Sequence, residues 1–156
     1  MKVELIQIGK TSDSYIREGI HVYEKRLKNY ITFESITLPD LKNTSALSVE
    51  QQKGMEGKLI LNKVNPDTYL VLLDENGTNF SSVEFSKFIQ KQILNSIKSI
   101  VFVIGGPYGF SKVVYDRANF KISLSKMTFS HQMVRLIFME QLYRAMTIMK
   151  NEPYHH

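Results

Sequence analysis

Two uninterrupted apolar runs constrain the fold of this chain more than any other sequence feature. They are residues 69–73 (YLVLL) and residues 100–104 (IVFVI). Short continuous apolar runs are typical of β-strands covered on both faces, and such strands occur in parallel sheets flanked by helices. We therefore expect both runs to be central strands of a parallel sheet.

Predicted strands and helices alternate along the rest of the chain. The other strands are predicted at residues 3–8, 33–38 and 120–124. The predicted helix starts are Ser12 or Asp13, Ser48 with Gln51 completing a capping box, Ser81 or Ser82, Ser111, and Ser130 for a last helix reaching Lys150. This alternation predicts an α/β fold with a mostly parallel sheet and helices on both faces, and 156 residues suit a single domain spanning residues 1–156.

Composition excludes several kinds of site. The chain has no cysteine, which excludes disulfides, thiolate nucleophiles and cysteine-bound metals, and its histidines lack the paired spacing of a zinc site, so we expect no metal. The start, MKVELIQIGK, is not a signal peptide, and no later run approaches the roughly 20 apolar residues of a membrane span. We expect a cytoplasmic protein with no membrane association. The net charge of +5 suits a basic face for phosphates, although many basic proteins bind no nucleic acid.

Loops that follow three predicted strands are rich in glycine or serine. These strands end at Leu73, Ile104 and Leu124. In open parallel sheets, ligands bind beyond the carboxyl ends of the strands, so we expect the three loops to form a binding site. The glycines of residues 105–109 (GGPYG) let a backbone approach a ligand closely, but the same residues also suit a simple tight turn.

The segment after the fifth strand, residues 124–129 (LSKMTF), offers several backbone donors and acceptors close together. Such a loop suits a flat heterocycle held by main-chain hydrogen bonds. The loop also fits the entry to a helix with Ser130 as N-cap, and both interpretations can hold together.

The last predicted helix is apolar around most of its circumference. A helix of this kind is buried on several sides. We expect a homodimer to supply part of its cover, with burial inside one subunit as the alternative.

His131 and Arg135 are one turn apart, whereas Arg144 lies roughly opposite Arg135, so one copy cannot use all three in one site. In a dimer, Arg144 and the tail, residues 153–156, can reach the partner's cleft. The alternative for the tail is a frayed end or the remnant of an expression tag.

Several motifs occur together in one order: VFVIGGPYG, SLSKMTF, HQM, EQLYRA and PYH. In this combination the chain resembles the RlmH family of SPOUT methyltransferases over its whole length. The resemblance implies S-adenosylmethionine-dependent methylation of N3 of a pseudouridine in 23S ribosomal RNA, on the ribosome. It also implies a homodimer with a C-terminal trefoil knot. Many family members have proline where this chain has Ser130, a change that a helix N-cap tolerates.

The resemblance also implies roles for particular residues. The positions that match the family's cofactor-binding residues are Leu73, Gly105, Leu124, Ser125, Lys126, Met127, Thr128 and Phe129. The positions that match its RNA-side catalytic residues are Arg144, Tyr154 and His155, while His131 matches a histidine at the start of the last helix.

Some alternatives stay open at the level of sequence. The chain could be a SPOUT methyltransferase for another RNA, such as a transfer-RNA base or ribose, or a non-enzymatic RNA-binding protein of the ribosome. The N3 proton could leave with help from His155 as a base, or from Arg144 as a cation that stabilises the resulting anion.

Overall fold

The computed structural model describes all 156 residues, Met1–His156, and its elements follow the predicted order. The strands are β1 (Lys2–Ile8), β2 (Thr32–Leu38), β3 (Tyr69–Asn79), β4 (Ser99–Ile104) and β5 (Phe120–Ser123). The helices are α1 (Ser14–Leu27), α2 (Val49–Leu61), α3 (Ser82–Leu94), α4 (Lys112–Arg117) and α5 (His131–Met149), with a short 3-10 helix at Thr44–Ala46.

The five strands form one all-parallel sheet in the order β2-β1-β4-β3-β5. Helices α1, α3 and α5 pack together on one face, and α2 packs with α4 on the other. The predicted α/β class with a parallel sheet and helices on both faces is therefore confirmed. The trefoil knot stays a prediction.

Polar side chains at the helix starts explain where several helices begin. Ser48 Oγ accepts a hydrogen bond from the Gln51 amide at 3.1 Å, and the Gln51 side chain accepts one from the Ser48 amide at 2.9 Å. Ser130 Oγ likewise accepts from the Met133 amide at 3.2 Å, which starts α5. These bonds satisfy amides that have no partner within the helix.

The two central strands are buried on both faces, as their apolar runs predict. In β4, Phe102 faces the helix layer that contains Phe138, while Val101 and Val103 face the layer that contains Val114. Alternate residues of a strand point to opposite faces, so continuous apolar runs are required here. The carboxyl ends of all five parallel strands consequently meet at one edge of the sheet.

Helix α5 belongs to the core of its own chain. Phe138, Met139 and Leu142 have no exposed surface, and the buried guanidinium of Arg135 donates to the Ile8 carbonyl at 2.7 Å. Burial inside one subunit, the alternative to cover by a partner, therefore accounts for one side of the helix. No helix in the structure is both long enough and apolar enough to cross a membrane.

The prediction that the third strand ends at Leu73 and is followed by a loop is wrong. Ile122 of β5 pairs with both Leu73 and Thr78, so the four residues between them form a bulge and β3 continues to Asn79. At Gly77 a Cβ would lie 2.6 Å from the Ile122 carbonyl carbon, so only glycine fits where the bulge rejoins β5.

Candidate active site

A cleft of about 680 Å³ opens at the carboxyl edge of the sheet, beyond the ends of β3, β4 and β5. This volume falls within the roughly 300–1,000 Å³ of small-molecule sites. The bulge, the glycine turn, the loop before α5 and the first turn of α5 form its walls. The structure brings together in this cleft every residue predicted to bind a cofactor, namely Leu73, Gly105, Leu124, Ser125, Lys126, Met127, Thr128 and Phe129.

The glycine turn after β4 needs glycine at two of its positions. Gly109 has a φ of +80°, a conformation that L side chains rarely adopt, and its amide donates to the Gly106 carbonyl at 3.2 Å. A Cβ on Gly106 would lie 2.7 Å from the carboxyl carbon of Glu56, which packs beneath the turn from α2. The turn is therefore held in place by a side chain 50 residues earlier in the sequence.

Glu56 is a buried carboxyl group that sequence reasoning missed. Its side chain has one hydrogen bond, from Gln52 Nε2 to Oε1 at 3.2 Å, while Oε2 has no partner. Burial raises the pKa of Glu56 above its usual range, since a charged carboxylate is costly where water is excluded. Only its contact with the glycine turn relates it to the cleft, and no motif in the sequence signals that contact.

The loop of residues 124–129 presents main-chain groups rather than side-chain chemistry. Ser123 Oγ donates to the Ser125 carbonyl at 2.9 Å, and Ser125 Oγ accepts from the Met127 amide at 2.9 Å, which fixes the loop backbone. The other amides of this loop make no hydrogen bond within the chain. These backbone donors are therefore available to a ligand in the cleft.

The bulge wall of the cleft is held by Asp74 and Tyr115. Asp74 accepts a hydrogen bond from the Tyr115 hydroxyl of α4 and another from the Asn76 amide at 2.8 Å. Burial, followed by the bond to Asp74, raises the pKa of Tyr115 to about 12, so the hydroxyl remains a donor at neutral pH. Sequence reasoning missed this pair because 41 residues separate its members.

The candidate catalytic residues Arg144, Tyr154 and His155 lie outside the cleft of their own chain. Val134 lines the cleft, and Arg144 follows ten residues later on the same helix. A rise of about 1.5 Å per residue places the two about 15 Å apart along the helix axis. One copy of the chain does not bring the predicted catalytic and cofactor-binding residues together.

The tail is folded back onto α5 and α1 and is not frayed. The Tyr154 ring lies beneath the Arg144 guanidinium at 4.7 Å and packs edge-on against the Tyr143 ring at 4.8 Å. Arg144 Nη1 lies 3.4 Å from His155 Nδ1. Tyr30, in the turn that follows α1, donates a hydrogen bond to Glu152. The predicted catalytic residues therefore form one cluster with defined geometry.

His131 and Arg135 have different surroundings although they are one turn apart. His131 is exposed and lines the cleft. Arg135 is buried and donates to the Ile8 carbonyl at the end of β1 and to Thr11 in the loop that follows, so its role is structural. The structure contains no group of three or more His, Asp or Glu side chains arranged to hold a metal ion.

Comparisons with known proteins agree over the whole chain. The family described as "Predicted SPOUT methyltransferase" matches residues 1–155. Proteins named ribosomal RNA large subunit methyltransferase H from Parabacteroides distasonis and Christiangramia forsetii are each 58% identical over 156 residues, covering 100% of this chain and 99% of theirs. The protein of that name from Flavobacterium johnsoniae is 56% identical over the same coverage.

We expect Gly106→Ala to disturb the glycine turn, because the new Cβ would displace the Glu56 carboxyl group. Overpacking of this kind lowers the free energy of unfolding by about 1–3 kcal/mol. Thermal unfolding would measure the loss of stability. Calorimetric titration with S-adenosylmethionine as test ligand would measure the effect of the disturbed turn on binding. The control is Gly54→Ala in α2, where no atom lies within 4 Å and up to about 1 kcal/mol of stabilisation is expected. Equal melting temperatures and affinities for Gly106→Ala and the unchanged protein would contradict this account.

We expect Tyr115→Phe to loosen the bulge, since Asp74 would lose its side-chain donor. The loss of such a hydrogen bond costs about 1 kcal/mol and should weaken binding of the same test ligand several-fold. Tyr108→Phe is the matched control, because Tyr108 lines the same cleft, is 52% exposed and makes no hydrogen bond through its hydroxyl. If both variants bind the ligand equally well, Asp74 and Tyr115 do not shape the cleft.

Proposed function

The chain belongs to the SPOUT methyltransferase family, and from this membership we propose that it methylates N3 of a pseudouridine in 23S ribosomal RNA, with S-adenosylmethionine as the methyl donor. The observation that carries the proposal is the similarity, over the whole chain, to proteins named ribosomal RNA large subunit methyltransferase H. Action on ribosomes implies a cytoplasmic location.

The cleft has properties that suit S-adenosylmethionine. The unpaired amides of residues 124–129 would hold the adenine, while Leu73 and Gly105 would pack against the nucleoside. Backbone groups suit this task because they recognise a flat heterocycle without needing a charged side chain. S-adenosylmethionine, when bound, supplies a methyl group that its sulfonium already activates for transfer.

The chain's own contribution is to align the substrate nitrogen and to assist the loss of its proton. Alignment of two reacting groups can supply about 7–11 kcal/mol of the barrier reduction. The N3 atom of a uridine-type base carries a proton that must leave before or during transfer. In this proposal, the residue that removes it, or stabilises the anion left behind, comes from the cluster of Arg144, Tyr154 and His155.

The geometry of this cluster favours stabilisation of the anion over removal of the proton. Arginine has only donors, so His155 Nδ1 accepts from Arg144, and a neutral ring then carries its proton on Nε2. Burial, then hydrogen bonds with Tyr23 and Glu140, raise the pKa of Tyr154, which remains a protonated donor. The cluster presents a cation and N–H groups to the substrate, and these are suited to the developing negative charge.

The active site in this proposal is composite. Arg144 and the tail lie too far along α5 to act in their own cleft, so a partner subunit would supply them. Several apolar side chains of α5 and α1 remain only half-buried in one chain, which suits a homodimer interface. The net charge of +5 suits recognition of the assembled ribosome by shape and phosphate contacts.

We expect ribosomal particles from a strain that lacks this protein to accept label from methyl-labelled S-adenosylmethionine. Mapping should place the methyl group on N3 of one pseudouridine of the 23S RNA, with much lower incorporation into naked RNA. Label on a transfer RNA or on ribose would instead support another SPOUT activity. If calorimetry finds no binding of S-adenosylmethionine, the chain is not an enzyme of this kind.

Mixed dimers would test the composite site directly. Thr128→Trp would block the cleft from an exposed position, and Arg144→Ala would remove the cation, so each variant alone should have low turnover. Co-expression of the two variants gives heterodimers with one intact site, and random pairing should restore about one quarter of the turnover of the unchanged dimer. No recovery would mean that each site is built within one chain.

A further inference from the structure

Glu140 lies at the centre of the cluster that contains the predicted catalytic residues. Its Oε1 atom accepts hydrogen bonds from Arg144 Nε at 3.0 Å, Arg144 Nη2 at 2.6 Å and the Tyr154 hydroxyl at 3.1 Å. Its Oε2 atom accepts from Gln141 Nε2 at 2.7 Å. Both oxygens of one carboxylate are thus occupied by neighbours on α5 and the tail.

These contacts differ from an ordinary surface ion pair one helical turn apart. Exposed pairs contribute little because water screens them and two long side chains lose freedom. Here the Glu140 and Arg144 side chains are only 21% and 24% exposed, and Tyr154, beyond the end of the helix, joins the same oxygen. The hydrogen bond with Glu140 is the main cause of the raised pKa of Arg144.

The arrangement also leaves part of the guanidinium free. Glu140 binds the edge formed by Nε and Nη2, while Nη1 faces His155. The Tyr154 ring covers one face of the guanidinium, and Tyr23 of α1 approaches the Tyr154 hydroxyl at 3.5 Å. Gln141 in turn accepts a hydrogen bond from Ser82 Oγ of α3 at 2.6 Å, so the cluster is tied to two neighbouring helices.

We propose that Glu140 is a positioning residue that fixes Arg144 and Tyr154 in one arrangement and thereby directs the remaining N–H groups of the guanidinium toward the RNA nucleotide. The catalytic meaning of this arrangement rests on the function proposed above, whereas the holding of Arg144 and the tail does not. Glu140 itself is not assigned a contact with the substrate, because both of its oxygens already accept hydrogen bonds within the chain.

Glu140→Gln and Glu140→Ala, compared with the unchanged dimer, test the proposal with two readouts. In hydrogen exchange, the amides of residues 152 and 154 should exchange faster in both variants, since the tail loses its anchor. In ribosome methylation, kcat should fall by about tenfold or more, with the affinity for S-adenosylmethionine and the dimer mass unchanged. Glu50→Gln is the control, because the Glu50 carboxylate is exposed, forms a helical ion pair with Lys53 far from the tail, and its loss should alter neither readout.

The two readouts separate the possible failures. An unchanged tail exchange rate, or an unchanged kcat, in both Glu140 variants would overturn the proposal. A fall in affinity for S-adenosylmethionine equal to the fall in turnover would also overturn it, because the effect would then lie in the cleft. If Glu140→Ala fails to fold, the nearly isosteric Glu140→Gln decides. If the unchanged protein methylates no ribosome, the proposed function fails, and hydrogen exchange still decides whether Glu140 anchors the tail.

Discussion

The burial of β3 and β4 on both faces of the parallel sheet is the constraint on which the rest of this structure depends. Strands with no solvent-facing side need helices on both sides, and helices that connect parallel strands bring every strand end to the same edge. Phe102 and Val103 illustrate this, since neighbours in one strand contact different helix layers. The cleft at the carboxyl edge follows from this arrangement, and irregular segments of backbone form most of its walls.

Within that frame, the cleft owes its shape to small backbone irregularities supported by distant side chains. The bulge of residues 74–77 exists because β3 pairs with β5 on both sides of it, and Tyr115 then holds Asp74 in place. The glycine turn is similarly in close contact with Glu56 of α2. Both walls thus pair an irregular backbone segment with a side chain from a distant part of the sequence.

The elements and the position of the site could be predicted from the sequence because their signals are local. The starts of α2, α3 and α5 follow from Ser48, Ser81 and Ser130, whose hydrogen bonds reach only three residues ahead. The bulge could not be predicted, since it depends on the register between strands that are about 50 residues apart. The contacts of Glu56 and Tyr115 with the cleft walls were missed for the same reason, as each joins residues far apart along the chain. The proposed ligand, S-adenosylmethionine, rests on motif similarity and not on physical reasoning.

The buried guanidinium of Arg135 has a consequence for how this protein is made. Its hydrogen bond to the Ile8 carbonyl joins residues 127 positions apart, and α5 also completes the apolar layer over β1 and β4. Strand β1 in turn pairs with β4, so Val3 cannot pair with its partner Ile100 until β4 has been synthesised. Chains dominated by such remote contacts fold slowly and expose apolar surface while they are incomplete. A nascent chain that stops short of α5 cannot close this core, so folding is completed only after the last helix has left the ribosome.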